Sequence, residues 1–140
     1  MRKLAETLRE YNHSVFDFTD PNNRKMYETP PEMFPEQFDP ALHLYSKYIN
    51  RKEWRDAVNE NRDEIKKADL LILLLPCGID ATADWALGVG TGKKTIIVGH
   101  PGKGERSQVH LLADYILDSI EDIIPWLKTL TLSTDFSKMS

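Results

Sequence analysis

The sequence predicts an α/β three-layer sandwich with a small, mostly parallel sheet. Residues 70–75 form a continuous apolar run that Pro76 ends, which is typical of a strand buried on both faces. A second, β-branched run covers Lys94–Val98, and amphipathic helical patterns come before, between and after the two runs. Helices that alternate with strands in this way favour a parallel sheet covered by helices on each face.

Length and charge fit one soluble, cytoplasmic domain. The chain has 140 residues, 41% of them hydrophobic, and its net charge of −4 argues against a nucleic-acid polymer as partner. The single cysteine excludes an internal disulfide and is typical of a reducing compartment. No apolar run approaches the ~18 residues of a membrane span. We expect one domain over residues 1–130 and a frayed tail over 131–140.

The first forty residues predict a helix, a strand and a long loop. Leu4, Leu8 and Tyr11 recur at helical spacing within 1–11, and residues 14–19 are rich in aromatic and β-branched types, as strands are. Five of the eight prolines fall in 20–40, which predicts a loop. A connection of that length is either a functional lid or a surface excursion packed by its own aromatic side chains.

Two helices are predicted next. Asp39 followed by Pro40 is a typical helix start. The second helix, over 52–68, carries a regularly spaced stripe that we expect to be buried: Trp54, Val58, Asn61, Ile65 and Ala68. Asn61 is the polar member of this stripe. It is either a buried amide bonded to backbone or a polar group that reaches a cleft.

The C-terminal half continues the alternation. Asp80 is a plausible N-cap of a helix over 81–90, Tyr115–Leu117 a short last strand, and 120–130 a closing helix kinked or divided at Pro125. The run Gly88-x-Gly90-x-Gly92-Lys93 lacks the spacing of a Walker loop. We interpret Gly88 and Gly90 as close-packing positions and Gly92 as a left-handed helix cap.

Ligands of such sheets bind beyond the carboxyl ends of the strands. The turn from Cys77 to Asp80 lies there, between a strand and a helix start whose free N–H groups can bind an anion. An ordinary tight turn is the alternative. Cys77 is more typical of a small packed residue than of a nucleophile. His100 follows the next strand, and the four histidines show no metal-ligand spacing, so no metal site is expected.

Asp84 lies one helical turn beyond Asp80, among apolar neighbours. A carboxylate in such a setting is paired, exposed or functional. The alternative is a solvated acidic residue that the helix dipole favours.

Residues 68–78, 84–88 and 92–98 together resemble the nucleoside 2-deoxyribosyltransferase-like superfamily, which includes nucleoside deoxyribosyltransferases and nucleotide N-glycoside hydrolases. The shared pattern is Ala-Asp, an apolar strand, a small-residue turn, a carboxylate on the next helix, then Gly-Lys and another apolar strand. The resemblance is specific over 61–98. It implies a flavodoxin- or Rossmann-like fold.

The resemblance also implies a mechanism, in which a carboxylate attacks the sugar carbon bonded to the base and forms a glycosyl-enzyme ester. The nucleophile position falls on Asp84 and a supporting helical position on Asn61. Cys77, Gly78 and Asp80 would line the ribose or its 5′ substituent, and Phe18 would face the base. The reaction takes a small-molecule nucleoside or nucleotide, uses no cofactor, and belongs to proteins that are often homo-oligomers.

Three departures from the family pattern indicate an alternative. The nucleophile position holds Asp instead of Glu, the supporting position holds Asn61 instead of Asp, and the chain starts inside the helix that should follow the family's first strand. These differences also fit a catalytically inactive nucleotide-binding or regulatory module of the same fold, or a structural protein with a vestigial cleft.

Overall fold

The computed structural model of the chain describes residues 2–18, 39–104 and 106–132. Contacts divide the chain into two compact units, Met1–Asp63 and Glu64–Ser140. The single-domain organisation over 1–130 stays a prediction. Most of the predicted loop at 20–40, together with 133–140 of the predicted tail, lies outside the described residues.

The first unit begins with helix α1, Arg2–Glu10, which buries Leu4, Ala5 and Leu8. The helix predicted over 1–11 is confirmed. The strand predicted from residue 14 is wrong, because residues 14–17 have irregular backbone and Phe18 lies in a turn. A backbone carbonyl of this segment has a side-chain partner instead: the Arg9 guanidinium donates to the Val15 carbonyl at 3.1 Å.

The Asp39–Pro40 pair starts a single turn, so the helix predicted there is wrong at its start. Asp39 Oδ1 accepts from the Ala41 N–H at 2.8 Å, and the Asp39 carbonyl accepts from the His43 N–H at 2.8 Å. Helix α2 begins only at Tyr45 and spans Tyr45–Ile49. Its buried residue, Tyr48, meets Trp54 edge-to-face at 6.1 Å between ring centroids.

Helix α3 spans Lys52–Lys67 and continues through the boundary between the two units. Its stripe is buried at Trp54, Ala57 and Ile65. The expectation that Val58 is buried is wrong, since its side chain is 55% exposed. The buried face therefore passes through the small Ala57, one residue earlier than the sequence spacing predicts. Asn61 is half-buried.

The second unit holds a parallel sheet of three strands in the order β1-β2-β3. Strand β1 is Leu70–Leu74, β2 is Lys94–Val98 and β3 is Tyr115–Leu117. The predicted α/β class with a small parallel sheet is confirmed. None of the described residues before Leu70 belongs to a strand.

Two helices cover opposite faces of this sheet. In the register Leu71↔Thr95 and Ile97↔Ile116, these four residues point to one face, and Gly88 of helix α4 (Ile79–Gly90) lies against Leu71 there. Tyr115 points to the other face and packs edge-to-face on Trp126 of helix α5 (Ile123–Leu132) at 5.4 Å. The arrangement is a three-layer sandwich.

The central strand carries the core. Thr95, Ile96, Ile97 and Val98 are at most 1% exposed. Burial on both faces, which the sequence predicted for the run 70–75, holds for β2 instead. In β1 only Leu71 and Leu73 are buried, because β1 is an edge strand of the described sheet.

Helix α4 starts earlier and ends as predicted. Gly78 is its N-cap and Asp80 is its second residue, so Asp80 as N-cap is wrong. At the other end Gly92 has φ +80° and donates its N–H to the Val89 carbonyl, while the Lys93 N–H donates to the Gly88 carbonyl. This pair of bonds is a Schellman motif, which confirms the left-handed cap. Gly90 meets nothing within 4 Å of an added Cβ, so its packing role is wrong.

Lys93 also joins α3 to this corner of the unit. Its Nζ donates to the Lys66 carbonyl at 2.7 Å, and the next residue begins β2. The end of α3, the end of α4 and the start of β2 are therefore tied together at the amino edge of the sheet.

The closing helix is preceded by a short 3₁₀ helix, Ile120–Asp122, and then runs without a break through Pro125. The predicted kink or division at Pro125 is wrong. Pro125 falls in the first turn of α5, where a backbone N–H has no intrahelical acceptor to lose. Ile123, Leu127 and Leu130 of α5 are buried. No helix of the described ranges is both long and apolar enough to cross a membrane.

Candidate functional site

The carboxyl ends of the three strands are hydrogen-bonded to one another just beyond the sheet. The Leu75 N–H donates to the Val98 carbonyl at 2.8 Å, and the Gly99 N–H donates to the Leu117 carbonyl at 2.9 Å. Gly99 has φ +97°, and an added Cβ would lie 2.9 Å from the Leu75 carbonyl oxygen. Glycine satisfies both constraints, so Gly99 fixes the position from which the loop after β2 starts.

The turn between β1 and α4 is organised by Thr82. Its Oγ1 donates to the Gly78 carbonyl at 3.1 Å and lies 3.3 Å from the Sγ of Cys77. The Thr82 N–H donates to the same carbonyl at 3.2 Å. Sequence reasoning missed this residue. The available signal was a threonine four positions after a turn residue, since a hydroxyl there can bond back to the i−4 carbonyl.

The start of α4 is open to solvent. Cys77, Gly78 and Asp80 are exposed, and Ile79 is 87% exposed. Gly78 has extended backbone and an added Cβ would meet nothing within 4 Å, so neither space nor conformation requires glycine here. As N-cap, Gly78 offers no side-chain acceptor to the first N–H groups of the helix. These groups can donate to an anion at the carboxyl edge.

Asp84 flanks the buried face of α4. Asp80, Asp84 and Gly88 form one i, i+4 row along the helix, and Gly88 lies against Leu71 of β1. Asp84 therefore lies one turn closer to the carboxyl edge than the helix–sheet contact. Its side chain is half-buried, and the next residue, Trp85, is 3% exposed.

Trp85, the residue after Asp84, carries a buried polar atom, its indole Nε1. Its Nε1 has no hydrogen-bond partner among the residues that the structure describes. Buried donors are normally bonded, so an indole N–H of this kind is a candidate donor to a bound group or water.

His100 belongs to the same edge as the α4 start. Leu74 and Val98 are paired in the parallel register, so the segments that follow them leave the sheet on one side. His100 lies two residues beyond β2 and is exposed. The structure thus brings Cys77, Gly78, Asp80 and His100 to the carboxyl edge of the second unit.

The other two predicted site residues lie in the first unit. Phe18 is half-buried and packs edge-to-face on Phe16, with ring centroids 5.0 Å apart. Asn61 is half-buried within α3. Their roles toward a base or a sugar stay predictions.

In residues 2–18, 39–104 and 106–132, no group of three His, Cys, Asp or Glu side chains is arranged to hold a metal ion. Comparison with known proteins yields no matching family model, curated protein or solved structure.

Proposed function

We propose that this protein cleaves the N-glycosidic bond of a nucleoside or nucleotide, or transfers the sugar to a second base, with Asp84 as the nucleophile. The observation that carries the proposal is the place of Asp84: a half-buried carboxylate on the row of α4 that leads from the sheet contact at Gly88 toward the carboxyl edge. Carboxylates in partly apolar surroundings near a strand-end crevice are typical of catalytic sites.

The chemistry is a double displacement. An Asp84 carboxylate oxygen forms a bond to C1′ of the sugar while the C1′–N bond breaks, and the base leaves with the electron pair and takes a proton from solvent. Water or a second base then attacks C1′ of the ester. The C1′–O bond to Asp84 breaks, and the carboxylate is regenerated. No cofactor takes part in these steps.

The start of α4 supports binding of the ribose or its 5′ substituent. A 5′-phosphate suits the free N–H groups after Gly78, since a helix N-terminus favours negative charge. Cys77 and Asp80 flank these groups in sequence, and His100 leaves the sheet at the same edge. As the resemblance implies, Phe18 would face the base and Asn61 would occupy the supporting position on its helix.

The direct test measures release of base. The full chain is incubated with a panel of ribo- and deoxyribonucleosides and their 5′-monophosphates, with and without a second free base, and products are separated by chromatography. We expect release or exchange of base for one class of substrate. A 2′-fluoro nucleoside should also leave a sugar-sized mass on the chain, because fluorine slows the breakdown of the ester.

Two variants make this test specific. Asp84→Ala should abolish turnover, whereas Asp84→Glu should retain it, because the resembled family has Glu at this position. Asp63→Asn, an exposed carboxylate on α3, is the matched control and should behave as the wild type. Equal activity of Asp84→Ala and the wild type would overturn the proposal.

A nucleotide-binding module without turnover is the second candidate. The residue at the nucleophile position favours it, because Asp is one methylene shorter than Glu and attack geometry is sensitive at the ångström scale. The amide of Asn61 also cannot donate or accept a proton as an acid or base. Calorimetry that detects nucleotide binding, together with no base release by the wild type or Asp84→Glu, would select this alternative.

The described sheet has two edge strands, β1 and β3, and exposed edges invite cover. We therefore propose a homo-oligomer.

A further inference from the structure

We propose that the indole N–H of Trp85 is a binding group, which donates a hydrogen bond to a hydroxyl oxygen of the sugar in the proposed substrate. This inference rests on the proposed function for the class of ligand, a nucleoside or nucleotide, and it adds a residue on which recognition of the sugar depends. Trp85 follows Asp84 in helix α4 and has no part in the double displacement.

The Trp85 side chain brings a hydrogen-bond donor into the interior. The residue is 3% exposed, and its Nε1 atom finds no acceptor within the ranges 2–18, 39–104 and 106–132. An indole has this one donor and no acceptor. Because a buried donor without a partner destabilises a fold, such groups normally have an acceptor in the functional state of a protein. A bound molecule can supply the acceptor that Trp85 needs.

The inner face of α4, which packs on the sheet, is open at the carboxyl edge. With about 3.6 residues per turn, Ala81, Trp85 and Gly88 lie on this face. Gly88 lies against Leu71 and Trp85 is buried, whereas Ala81, one turn closer to the start of the helix, is exposed. The inner face is therefore covered from Trp85 onward and open at Ala81. We call the space beneath Ala81 the first-turn crevice.

The direction of helical side chains brings the Trp85 indole toward this crevice. Long and aromatic side chains of an α-helix lean toward its N-terminus, so each one covers the turn before its own Cα. The turn before Trp85 is the one that contains Ala81. On the helix surface, Asp84 and Trp85 lie on opposite sides of the line from Ala81 to Gly88. A sugar in the first-turn crevice would therefore lie between a carboxylate and the indole N–H.

The charges beside the first-turn crevice favour a sugar hydroxyl over a phosphate as the partner of Trp85. Asp80 and Asp84 lie along one row of α4, next to Ala81. Their carboxylates would repel a phosphate on this side of the helix. A hydroxyl can donate to a carboxylate and accept from the Trp85 N–H at the same time. The N–H groups that follow Gly78 lie at the end of the helix and stay available for a 5′ substituent.

Nuclear magnetic resonance tests the contact directly, because the chain has three tryptophans and so three indole N–H signals. The isotopically labelled full chain is titrated with ribose 5-phosphate and with 2-deoxyribose 5-phosphate, which carry no base to release. Trp85→Phe identifies the Trp85 signal by its loss. We expect the Trp85 proton signal to move downfield and saturate with either sugar phosphate, because hydrogen bonding deshields the proton, and to stay in place with inorganic phosphate alone. The matched control is Trp54, whose Nε1 is also buried without a described partner, and whose signal should not move.

An isosteric substitution tests what this hydrogen bond contributes. Benzothienylalanine placed at position 85 keeps the shape of the indole and replaces its N–H with sulfur. We expect it to weaken binding of the sugar phosphates about tenfold, as measured by calorimetry. The unliganded chain should unfold at the same temperature or higher, because no buried donor is left unpaired. The same substitution at position 54 should not change the affinity, which separates a binding role from a merely structural one.

The outcomes for Trp85 can be told apart from those for the proposed function. A Trp85 signal that stays in place at saturating sugar phosphate overturns the role of Trp85. So do full affinity of the isosteric chain, a shift caused by inorganic phosphate alone, and failure of both sugar phosphates to bind. Base release by a wild type whose Trp85 signal does not move would leave the Asp84 chemistry standing. A Trp85 signal that moves, without release of base from any nucleoside or nucleotide, would remove that chemistry and leave the sugar contact in place.

Discussion

Gly88 of α4 lies directly against the side chain of Leu71 in β1. A Cβ added at Gly88 would overlap Cδ1 of Leu71, and the next nearest side chain is Ile65 of α3. This contact sets how closely α4 approaches the sheet, and with it the height of Asp84 above the strand ends.

Replacing Gly88 should therefore destabilise the fold. We expect Gly88→Ala to lower the free energy of unfolding by about 1–3 kcal/mol, because the forced shift of Leu71 exceeds the gain in helix propensity. Gly90→Ala in the same helix is the matched control. An added Cβ there meets nothing, so it should stabilise by about 0.5–1 kcal/mol. Urea unfolding of both variants measures the difference, and equal stabilities would contradict the close packing of Gly88.

The loop origin at Gly99 offers a second test. Gly99→Ala combines a strained φ of +97° with a clash against the Leu75 carbonyl, and we expect a loss of about 2–4 kcal/mol. Gly104→Ala has a similar φ of +81° in open space, so strain alone should cost about 1 kcal/mol. Thermal unfolding compares the two. A Gly104→Ala variant as unstable as Gly99→Ala would show that the clash with the Leu75 carbonyl does not lower stability.

Asp114 stabilises the start of β2 from the neighbouring connection. Its Oδ2 accepts from the Thr95 N–H at 2.8 Å, and its own N–H donates to the Thr95 carbonyl at 3.0 Å. Thr95 is 1% exposed, so Asp114→Ala leaves a buried donor without an acceptor and should cost about 1–3 kcal/mol. Asp114→Asn keeps an acceptor oxygen and should cost less.

The control for this prediction is Asp69→Ala, an exposed acidic residue just before β1, which should change stability by less than about 0.5 kcal/mol. Denaturant midpoints at equal protein concentration compare the three variants. If Asp114→Ala and Asp69→Ala unfold together, the bond to Thr95 does not contribute.

Cys77 reports on the start of α4. It is the single cysteine of the chain and is exposed, so the native protein should react with one equivalent of Ellman's reagent without unfolding. A nucleotide bound at the first N–H groups of α4 should slow this reaction, because the thiol lies next to Gly78. The rate with and without nucleotide is read by absorbance, and Cys77→Ser gives the baseline. An unchanged rate at saturating nucleotide would place the ligand elsewhere.

Much of the second unit could be predicted from its sequence, because its signals are local. The apolar run before Pro76 and the β-branched run before Gly99 each define one strand, and both strands are where the pattern predicts them. Gly92 is placed correctly as a cap because the left-handed conformation is a property of a single residue.

The predictions that are wrong or missing concern features that depend on contacts with other parts of the chain. Residues 14–17 have strand-like composition but irregular backbone, since a strand needs a neighbour that sequence spacing does not supply. Val58 is exposed and Ala57 is buried, because the residues that pack against α3 decide which of two adjacent positions faces the core. Thr82 was missed because its importance comes from two contacts across a turn.

The bonds of Lys93 have a consequence for how the second unit tolerates change. At the amino edge of the sheet, Lys93 bonds the ends of α3 and α4 beside the start of β2, while the turn after β1 and the loop after β2 begin at the opposite, carboxyl edge. The bonds that hold this corner together therefore lie at one edge of the sheet, and the loops that could contact a ligand leave from the other. Loops of different length and chemistry could be grafted after β1 and β2 to select new ligands, with the bonds of Lys93 at the amino edge left intact.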